Sequence, residues 1–186
     1  MYKELDEQAL AGYCAKGDIK AEDELYRRYA ARVYTLCRRY CGDVKEAEDL
    51  MQDALIQALD KIRTFNYTGR GSLYAWIRKI AVNKAINHIR RHRWRMVPLD
   101  HLEEDSADDL SADEMESVPQ EKLLELISRL PETRRAVLNL YCIEGYSHKE
   151  IGQMLGISEK GSAGILAKAR KQLKEAVKIY LKDSER

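Results

Sequence analysis

The sequence is poor in residues that break helices and has no long apolar run. Only three prolines occur among its 186 residues, and none lies inside a segment with helical spacing. No stretch comes near the roughly 18 uninterrupted apolar residues of a membrane span. The first ten residues also lack the basic start and apolar centre of a signal peptide. These absences argue against a membrane-spanning or secreted protein, and we expect a cytoplasmic one.

Cysteine is scarce as well, and its spacing predicts neither a disulfide framework nor a clear metal site. Cys37 and Cys41 could join His88 and His92 as four zinc ligands, because the members of each pair are four residues apart. Nothing in the sequence brings the two pairs together, so we expect buried thiols, no metal and no other cofactor. The four cysteines, which form no CxxC pair, are Cys14, Cys37, Cys41 and Cys142.

Residue combinations typical of an enzyme are also missing. There is no Ser-His-Asp or Cys-His arrangement in a plausible helical context, and no glycine-rich loop of the kind that cradles phosphates. Paired carboxylates occur only in one acidic segment, and His148 is expected at the surface. We therefore expect no catalytic activity.

Charge is arranged in blocks that the net charge of +1 conceals. Residues 61–95 contain ten Lys and Arg and no Asp or Glu, whereas residues 96–121 contain ten Asp and Glu and no Lys or Arg. An unmixed basic block indicates a surface that meets a polyanion. The acidic block is either a solvated spacer or a competitor for that surface, and residues 96–119 are expected to be a flexible linker.

Apolar residues recur at helical spacing along almost the whole chain, which predicts an all-α protein of two small helical domains, 1–95 and 120–186. In the first domain we expect four helices with caps at Asp43 and Ser72 for the last two. Their expected ranges are 6–15, 20–40, 43–65 and 72 to 93 or 95.

In the second domain the spacing predicts two helices followed by a helix-turn-helix hairpin. Ser147 and Glu150 form a capping box that begins the first helix of the hairpin. Gly156 makes the turn, and Ser158 caps a basic second helix. The two helices before the hairpin are expected over 121–129 and 132–142.

Aromatic residues are interspersed with the cations of the basic block. Cations that follow the phosphates and rings that stack on unpaired bases are the usual means of holding single-stranded nucleic acid. The alternative is that the rings pack a helical bundle while the cations are solvated. The aromatic residues are Phe65, Tyr67, Tyr74, Trp76 and Trp94.

Four runs in order along the chain resemble the extracytoplasmic-function (ECF) sigma factors of the bacterial sigma-70 family. They are AKGDIKAEDELYRRYAARVYTLCRRYCGDVKEAEDLMQDALIQAL, SLYAWIRKIAVNKAINHIRRHRW, LPETRRAVLNLYCIEGYSHKEIGQMLGIS and AKARKQL. The resemblance implies that residues 1–95 are sigma region 2, which binds the beta-prime clamp helices of core RNA polymerase and opens the minus-10 promoter element. Residues 120–186 would be region 4, whose helix-turn-helix binds the minus-35 element and which touches the beta flap.

Carried over by position, the resemblance implies two sets of site residues in region 2. The loop 66–71 matches the segment that captures an extruded base, and Asn83 and Asn87 match asparagines that hold the non-template strand. An amide can bond a base edge without repelling phosphate, although a solvated helix face is the alternative. The implied polymerase-binding residues are Glu46, Glu48, Asp49, Gln52 and Asp53. The minus-10 set is Phe65, Asn66, Tyr67, Arg70, Tyr74, Trp76, Lys79, Asn83, Lys84, Asn87, Arg90 and Arg91.

The predicted recognition helix departs from the family. Lys160-Gly161-Ser162-Ala163-Gly164-Ile165 replaces a common Gly-Thr-Val-Lys-Ser-Arg and so loses two cations and a hydroxyl, which predicts weaker and less salt-dependent binding. Arg135 matches an arginine expected to contact phosphate, and a surface salt bridge with Glu132 or Glu144 is the alternative. The expected minus-35 set is Arg135, Lys160, Ser162, Lys168, Arg170 and Lys171.

The resemblance therefore implies a sigma factor whose partners are core polymerase, promoter DNA and an anti-sigma factor. Two other classes stay open on the residues alone. One is a helix-turn-helix regulator that binds duplex DNA without polymerase. The other is a helical interaction protein whose acidic segment carries its function.

Overall fold

The computed structural model describes residues 2–93 and 118–184, and every regular element in these two ranges is helical. The predicted all-α class is confirmed. The described residues fall into two compact units, the first within the ranges Met1–Arg38 and Asp43–Ala85 and the second within Arg39–Gly42 and Ile86–Arg186. Trp94, the expected domain boundary near residue 95 and nearly all of the expected linker 96–119 lie outside the described residues. Within the described ranges no helix is long and apolar enough to cross a membrane.

The first unit is built from helices that begin at short polar caps. Asp6 accepts a hydrogen bond from the amide of Ala9 at 2.7 Å, and Asp43 accepts one from the amide of Lys45 at 2.9 Å. The expected helices are present, two of them continuing into the second unit. They are α1 (Glu7–Cys14), α2 (Ile19–Tyr40), α3 (Val44–Asp60) and α4, described as Ser72–Arg93, with 3₁₀ turns at Tyr2–Glu4 and Ile62–Thr64.

Helix α3 is shorter than its apolar spacing predicts. It was expected to reach Phe65, but it ends at Asp60 and the chain tightens into the 3₁₀ turn. The reason lies in the hydrogen bonds, because both the amide and the hydroxyl of Thr64 donate to the carbonyl of Lys61 at 2.8 Å. Ile62 stays buried, so the turn still contributes to the core.

The core of the first unit comes from the apolar faces of α2, α3 and α4. Helical spacing along α2 predicts one apolar stripe, and all of its residues in the first unit are buried: Leu25, Tyr29, Val33 and Leu36. Helical spacing also places Val44 on the apolar side of α3, and here the prediction is wrong. Val44 is 49% exposed, because it is the first residue of the helix and the buried face begins one turn later, at Ala47.

Three helices of the second unit pack against its long final helix. Here α5, α6 and α7 each contact α8. The expected continuous helix over 132–142 is interrupted, since a π-helical turn occupies Asn139–Ile143 and the amide of Glu144 bonds to the carbonyl of Asn139. The four helices are α5 (Gln120–Ser128), α6 (Glu132–Leu138), α7 (His148–Leu155) and α8 (Glu159–Ser184).

The predicted helix-turn-helix is confirmed in its details. Ser147 and Glu150 form the capping box at the start of α7, and Gly156 has the left-handed φ of 67° that the turn requires. The hydroxyl of Ser158 then accepts from the amide of Gly161 at 2.9 Å, so it caps α8 as expected.

Candidate polymerase and nucleic-acid interfaces

The outward side of α3 carries the residues proposed for polymerase binding. Its apolar side, which includes Ala47, Leu50 and Ala54, is buried in the core. A helix with one buried side must present the intervening positions to solvent. Four of the five predicted residues are accordingly exposed and Glu46 is half-buried; the exposed four are Glu48, Asp49, Gln52 and Asp53.

An apolar residue extends this acidic side of α3. Ile56 is 57% exposed and follows Gln52 by one helical turn, so it lies on the same side as the predicted polymerase residues. Ile56 was not among the polymerase-binding residues predicted from the sequence. Its spacing from the core residues Leu55 and Ala58 could have indicated that it points away from the core. The face therefore combines acids and an amide with one exposed apolar side chain.

An ion pair joins the acidic side of α3 to the basic helix α4. The ammonium of Lys84 lies 3.3 Å from a carboxylate oxygen of Asp53, and the Asp53 side chain is 65% exposed. A pair this exposed contributes about 1 kcal/mol or less. It nevertheless brings one residue of the predicted polymerase-binding set next to one residue of the predicted minus-10 set.

Helix α4 presents an exposed polar stripe along one side. Lys79, Asn83 and Asn87 are spaced by four residues and are all exposed, as are Arg90 and Arg91 further along the helix. Residues four apart lie above one another on a helix surface, so the two amides and the cations form one line. The opposite side buries apolar residues, among them Leu73, Ile77, Ala81 and Ala85.

Three aromatic residues of the basic block, Phe65, Tyr74 and Trp76, make two kinds of ring contact. The rings of Phe65 and Trp76 are 5.6 Å apart and tilted by 55°, and both residues are partly exposed to solvent near the start of α4. Tyr74 instead contacts the protein, because it stacks on Tyr29 at 6.0 Å and the guanidinium of Arg32 lies 3.5 Å from its ring. DNA contact by any of these rings stays a prediction.

The loop before α4 is held by a residue that was not predicted from the sequence. The carboxylate of Glu7 in α1 accepts hydrogen bonds from the amides of Gly71 at 2.8 Å and Leu73 at 3.2 Å. The hydroxyl of Tyr29 donates to its other oxygen at 3.0 Å, and burial together with this carboxylate raises the pKa of Tyr29. Ser72, the expected cap, is itself the first residue of the helix.

Around the predicted recognition helix, the positions of two residues correct the predictions. Ser162 was expected to contact DNA but is fully buried, because it lies on the same side of α8 as the core residue Leu166. Its hydroxyl is 3.0 Å from Nδ1 of His148, which was expected at the surface but is partly buried and stacks on Tyr141. Contact between Ser162 and DNA is therefore unsupported in this arrangement.

The cations of the second unit differ in accessibility. Lys160 and Lys171 are exposed on α8, and Lys168 and Arg170 are partly buried. Arg135 is buried in the second unit, with 6% of its surface exposed. Its guanidinium donates to the carbonyls of Tyr40 at 3.0 Å, Ser128 at 2.5 Å and Leu130 at 3.5 Å. A phosphate contact by Arg135 stays a prediction, and it would require the guanidinium to leave these carbonyls.

The expectation of buried thiols is confirmed for three of the four cysteines and wrong for Cys142. Cys14, Cys37 and Cys41 are buried and Cys142 is exposed, and burial raises the pKa of the Cys14 thiol to about 11. Among the described residues, no group of three or more His, Cys, Asp or Glu is placed to hold a metal ion.

Two regions of the sigma-70 family match the chain, one in each part. Residues 25–95 match sigma-70 region 2, and residues 120–173 match sigma-70 region 4. The ECF RNA polymerase sigma-E factor of Haemophilus influenzae is 30% identical over 166 residues, which cover 83% of this chain and 86% of that protein. The chain belongs to the ECF sigma factors of the sigma-70 family.

One further relative and one solved structure are similar to this chain over most of its length. The RNA polymerase sigma-H factor of Pseudomonas aeruginosa is 27% identical to this sigma factor over 196 residues, covering 99% of this chain and 100% of the relative. A solved structure of the sigma factor RpoE with the anti-sigma factor NepR, from Bartonella quintana, has a TM-score of 0.50 and 17% identity. That comparison, which covers 87% of this chain and 99% of the other, shows a shared fold.

The matched segments contain most of the candidate residues of this sigma factor. The exposed side of α3 and the α4 stripe lie within the region 2 match, and the start of α8 lies within the region 4 match. Glu7 precedes the region 2 match, so neither the family match nor local sequence spacing could have indicated it.

Proposed function

We propose that this ECF sigma factor binds core RNA polymerase through the exposed side of α3 and holds the opened minus-10 element along α4. The exposed acids of α3 favour a protein partner, because carboxylates repel the phosphates of DNA. Ile56 adds an apolar contact of the kind that protein interfaces bury at their centre. The polymerase would then carry out RNA synthesis, while this subunit selects the promoter.

The single observation that carries the proposal is the stripe on α4. Lys79, Asn83, Asn87 and Arg90 are exposed in one line, and no acidic residue occurs anywhere in residues 61–95. Cations attract the backbone phosphates, and amides bond base edges without adding negative charge. This combination suits a single strand whose bases are turned toward the protein.

The loop 66–71 and the neighbouring aromatic pair suit the capture of a base. Extruding a base costs a few kcal/mol of lost stacking and pairing. A stack on an aromatic ring contributes about 1 to 3 kcal/mol, so one contact with Phe65 or Trp76 offsets much of that cost. Asn66 and Arg70, which are exposed in the loop, can bond the extruded base and its phosphate.

The second unit is proposed to bind duplex DNA at the minus-35 element with the start of α8. Lys160 and Lys171 supply exposed cations, and Lys168 and Arg170 lie on the same helix. Ser162 has no part in this proposal because it is buried. Region 2 within residues 1–95 and region 4 within residues 120–186 would thus divide promoter recognition between them.

An anti-sigma factor is proposed as the regulator of this protein. The support is the family itself and the relative RpoE, which was solved in complex with an anti-sigma factor. An inhibitor that covers the acidic side of α3 would compete directly with core polymerase. The alternative of a regulator that acts without polymerase has no observation in its favour, since the matched relatives named above are polymerase sigma factors.

Two sets of variants test the proposed division of labour. Glu48→Lys with Asp49→Lys reverses charge on α3 and leaves the Asp53 ion pair with Lys84 in place. Glu4→Lys is the control, because Glu4 is an exposed acid on the N-terminal 3₁₀ turn. We expect the double variant to lose at least about tenfold in core affinity, an effect of about 1.4 kcal/mol, and the control to bind core normally.

The reciprocal variant removes the two amides of the α4 stripe. Asn83→Ala with Asn87→Ala should bind core normally but weaken the complex with a promoter that contains a pre-melted bubble by about ten- to a hundredfold, since each well-made base contact contributes about 1 to 3 kcal/mol. Gln153→Ala, which removes an exposed amide from α7, is the control. Loss of core affinity in the asparagine variant, or normal core binding by the acidic variant, would contradict the assignment.

A further inference from the structure

Glu7 connects three parts of the first unit through one carboxylate. It lies in the first turn of α1, yet its hydrogen-bond donors come from α2 and from the segment that begins α4. The amides of Gly71 and Leu73 share one oxygen, and the hydroxyl of Tyr29 donates to the other. The contact with Gly71 spans 64 positions of sequence, so it is a tertiary contact and no part of a local turn.

The electrostatic setting of this carboxylate is favourable. It lies at the start of its own helix and also accepts main-chain amides at the start of α4. The first amides of a helix have no partner within the helix, and a negative charge near them is stabilising. Glu7 therefore does for α4 what a local capping residue would otherwise do.

The hydrogen bond from Gly71 to Glu7 also holds the last residue of the loop 66–71. Gly69 and Gly71 have φ values of 133° and 90°, which only glycine adopts without strain. Local hydrogen bonds from the amide of Ser72 to the carbonyl of Gly69 and from Ala75 to Gly71 close this turn, and the bond from the Gly71 amide to Glu7 ties it to α1. Trp76, whose ring lies against Phe65, is only one turn further along α4.

A second layer of contacts holds the partners of Glu7 in place. The ring of Tyr29 is buried and stacks on Tyr74, and Arg32 of the same helix lies over the ring of Tyr74. Tyr74 belongs to the first turn of α4. Helix α2 therefore supports the start of α4 by ring contacts, while α1 supports it by the carboxylate.

We propose that Glu7 is a positioning residue for capture of the non-template strand. Its carboxylate holds the loop 66–71 and the first turn of α4 in the conformation that admits an extruded base, without touching DNA. This inference rests on the proposed function, because it needs that loop to be the site of base capture.

The test compares Glu7→Ala with Glu4→Ala in the full-length protein bound to core polymerase. The probe is a single-stranded minus-10 oligonucleotide of the non-template strand with 2-aminopurine at the captured base. We expect Glu7→Ala to bind it about tenfold more weakly, as the loss of hydrogen bonds to a charged group implies, and to lose the fluorescence change of the extruded base. Core affinity should match that of Glu4→Ala, and hydrogen exchange at Gly71 and Leu73 should be faster.

A conservative variant separates positioning from general stability. Glu7→Gln keeps an acceptor oxygen and should recover part of the lost affinity, whereas Tyr29→Phe removes one donor and keeps the stacked ring. Both can be measured even if Glu7→Ala fails to fold. Wild-type strand affinity in both variants, or an equal loss of core affinity in Glu7→Ala, would overturn the positioning role. Failure of the wild-type protein with core to bind the oligonucleotide would instead refute the proposed function.

Discussion

Replacing Gly152 with alanine tests the close packing inside the helix-turn-helix. A Cβ at this position would lie 2.8 Å from the carbonyl oxygen of Ile157 and 3.5 Å from the amide nitrogen of Glu159. Both atoms belong to the main chain of the turn, so neither can swing aside as a flexible side chain would. The start of α8 must therefore move away from α7.

The size of the effect follows from two opposing contributions. Alanine is favoured over glycine inside a helix by about 1 kcal/mol. Overpacking a closely packed contact costs about 1 to 3 kcal/mol, so Gly152→Ala should destabilise α7 by up to about 2 kcal/mol. Gly12 of α1 is the matched control, because a Cβ added there would meet nothing within 4 Å and Gly12→Ala should stabilise α1 by about 1 kcal/mol.

Native-state hydrogen exchange is the suitable assay, because it reports the free energy of opening separately for α7 and α1. We expect faster exchange in α7 for Gly152→Ala and slower exchange in α1 for Gly12→Ala. If Gly152→Ala slowed exchange in α7, the turn would not be packed against α7 as described, and the reasoning would be refuted.

Two further predictions concern the second unit. Ala163→Lys adds a cation at an exposed position of α8, the position where the family pattern quoted above has lysine. The plot of log affinity for duplex minus-35 DNA against log salt should therefore steepen by about 0.9. An unchanged slope would show that Ala163 does not face DNA. Hydrogen bonds from the Ser147 hydroxyl and amide lower the pKa of Glu150 below its ordinary value of 4.5. The stability that this carboxylate adds is therefore present above pH 4.5 and lost as the pH falls through the lowered pKa. Glu150→Gln should flatten the pH dependence of hydrogen exchange in α7. An unchanged pH profile would contradict this prediction.

Local signals were enough to predict most of the fold. The cap at Asp43, the capping box at Ser147 and the turn at Gly156 depend on neighbours within a few residues, so the sequence contains them in full. The buried stripe of α2 likewise follows from helical spacing alone. The two candidate surfaces on α3 and α4 were predictable for the same reason, because a buried side fixes which side is exposed.

The errors arose where tertiary contacts override local preference. Ser72 has the chemistry of a cap, but a carboxylate from α1 accepts the amides at the start of α4. Ser162 was expected to contact DNA because it is a small polar residue at the start of the predicted recognition helix, yet it lies on the buried side of α8 and not at the surface. Helix α3 ended early because the amide and hydroxyl of Thr64 both donate hydrogen bonds to the carbonyl of Lys61 and form a 3₁₀ turn there.

The central claim is that this sigma factor, when bound to core polymerase, binds the non-template strand of the minus-10 element. The most direct measurement compares the affinity of the core complex for non-template and template oligonucleotides of the same promoter segment, with duplex DNA and free sigma factor as references. We predict a stable complex with core and at least about tenfold preference for the non-template strand. Equal binding of the two strands, or duplex binding that needs no polymerase, would contradict it.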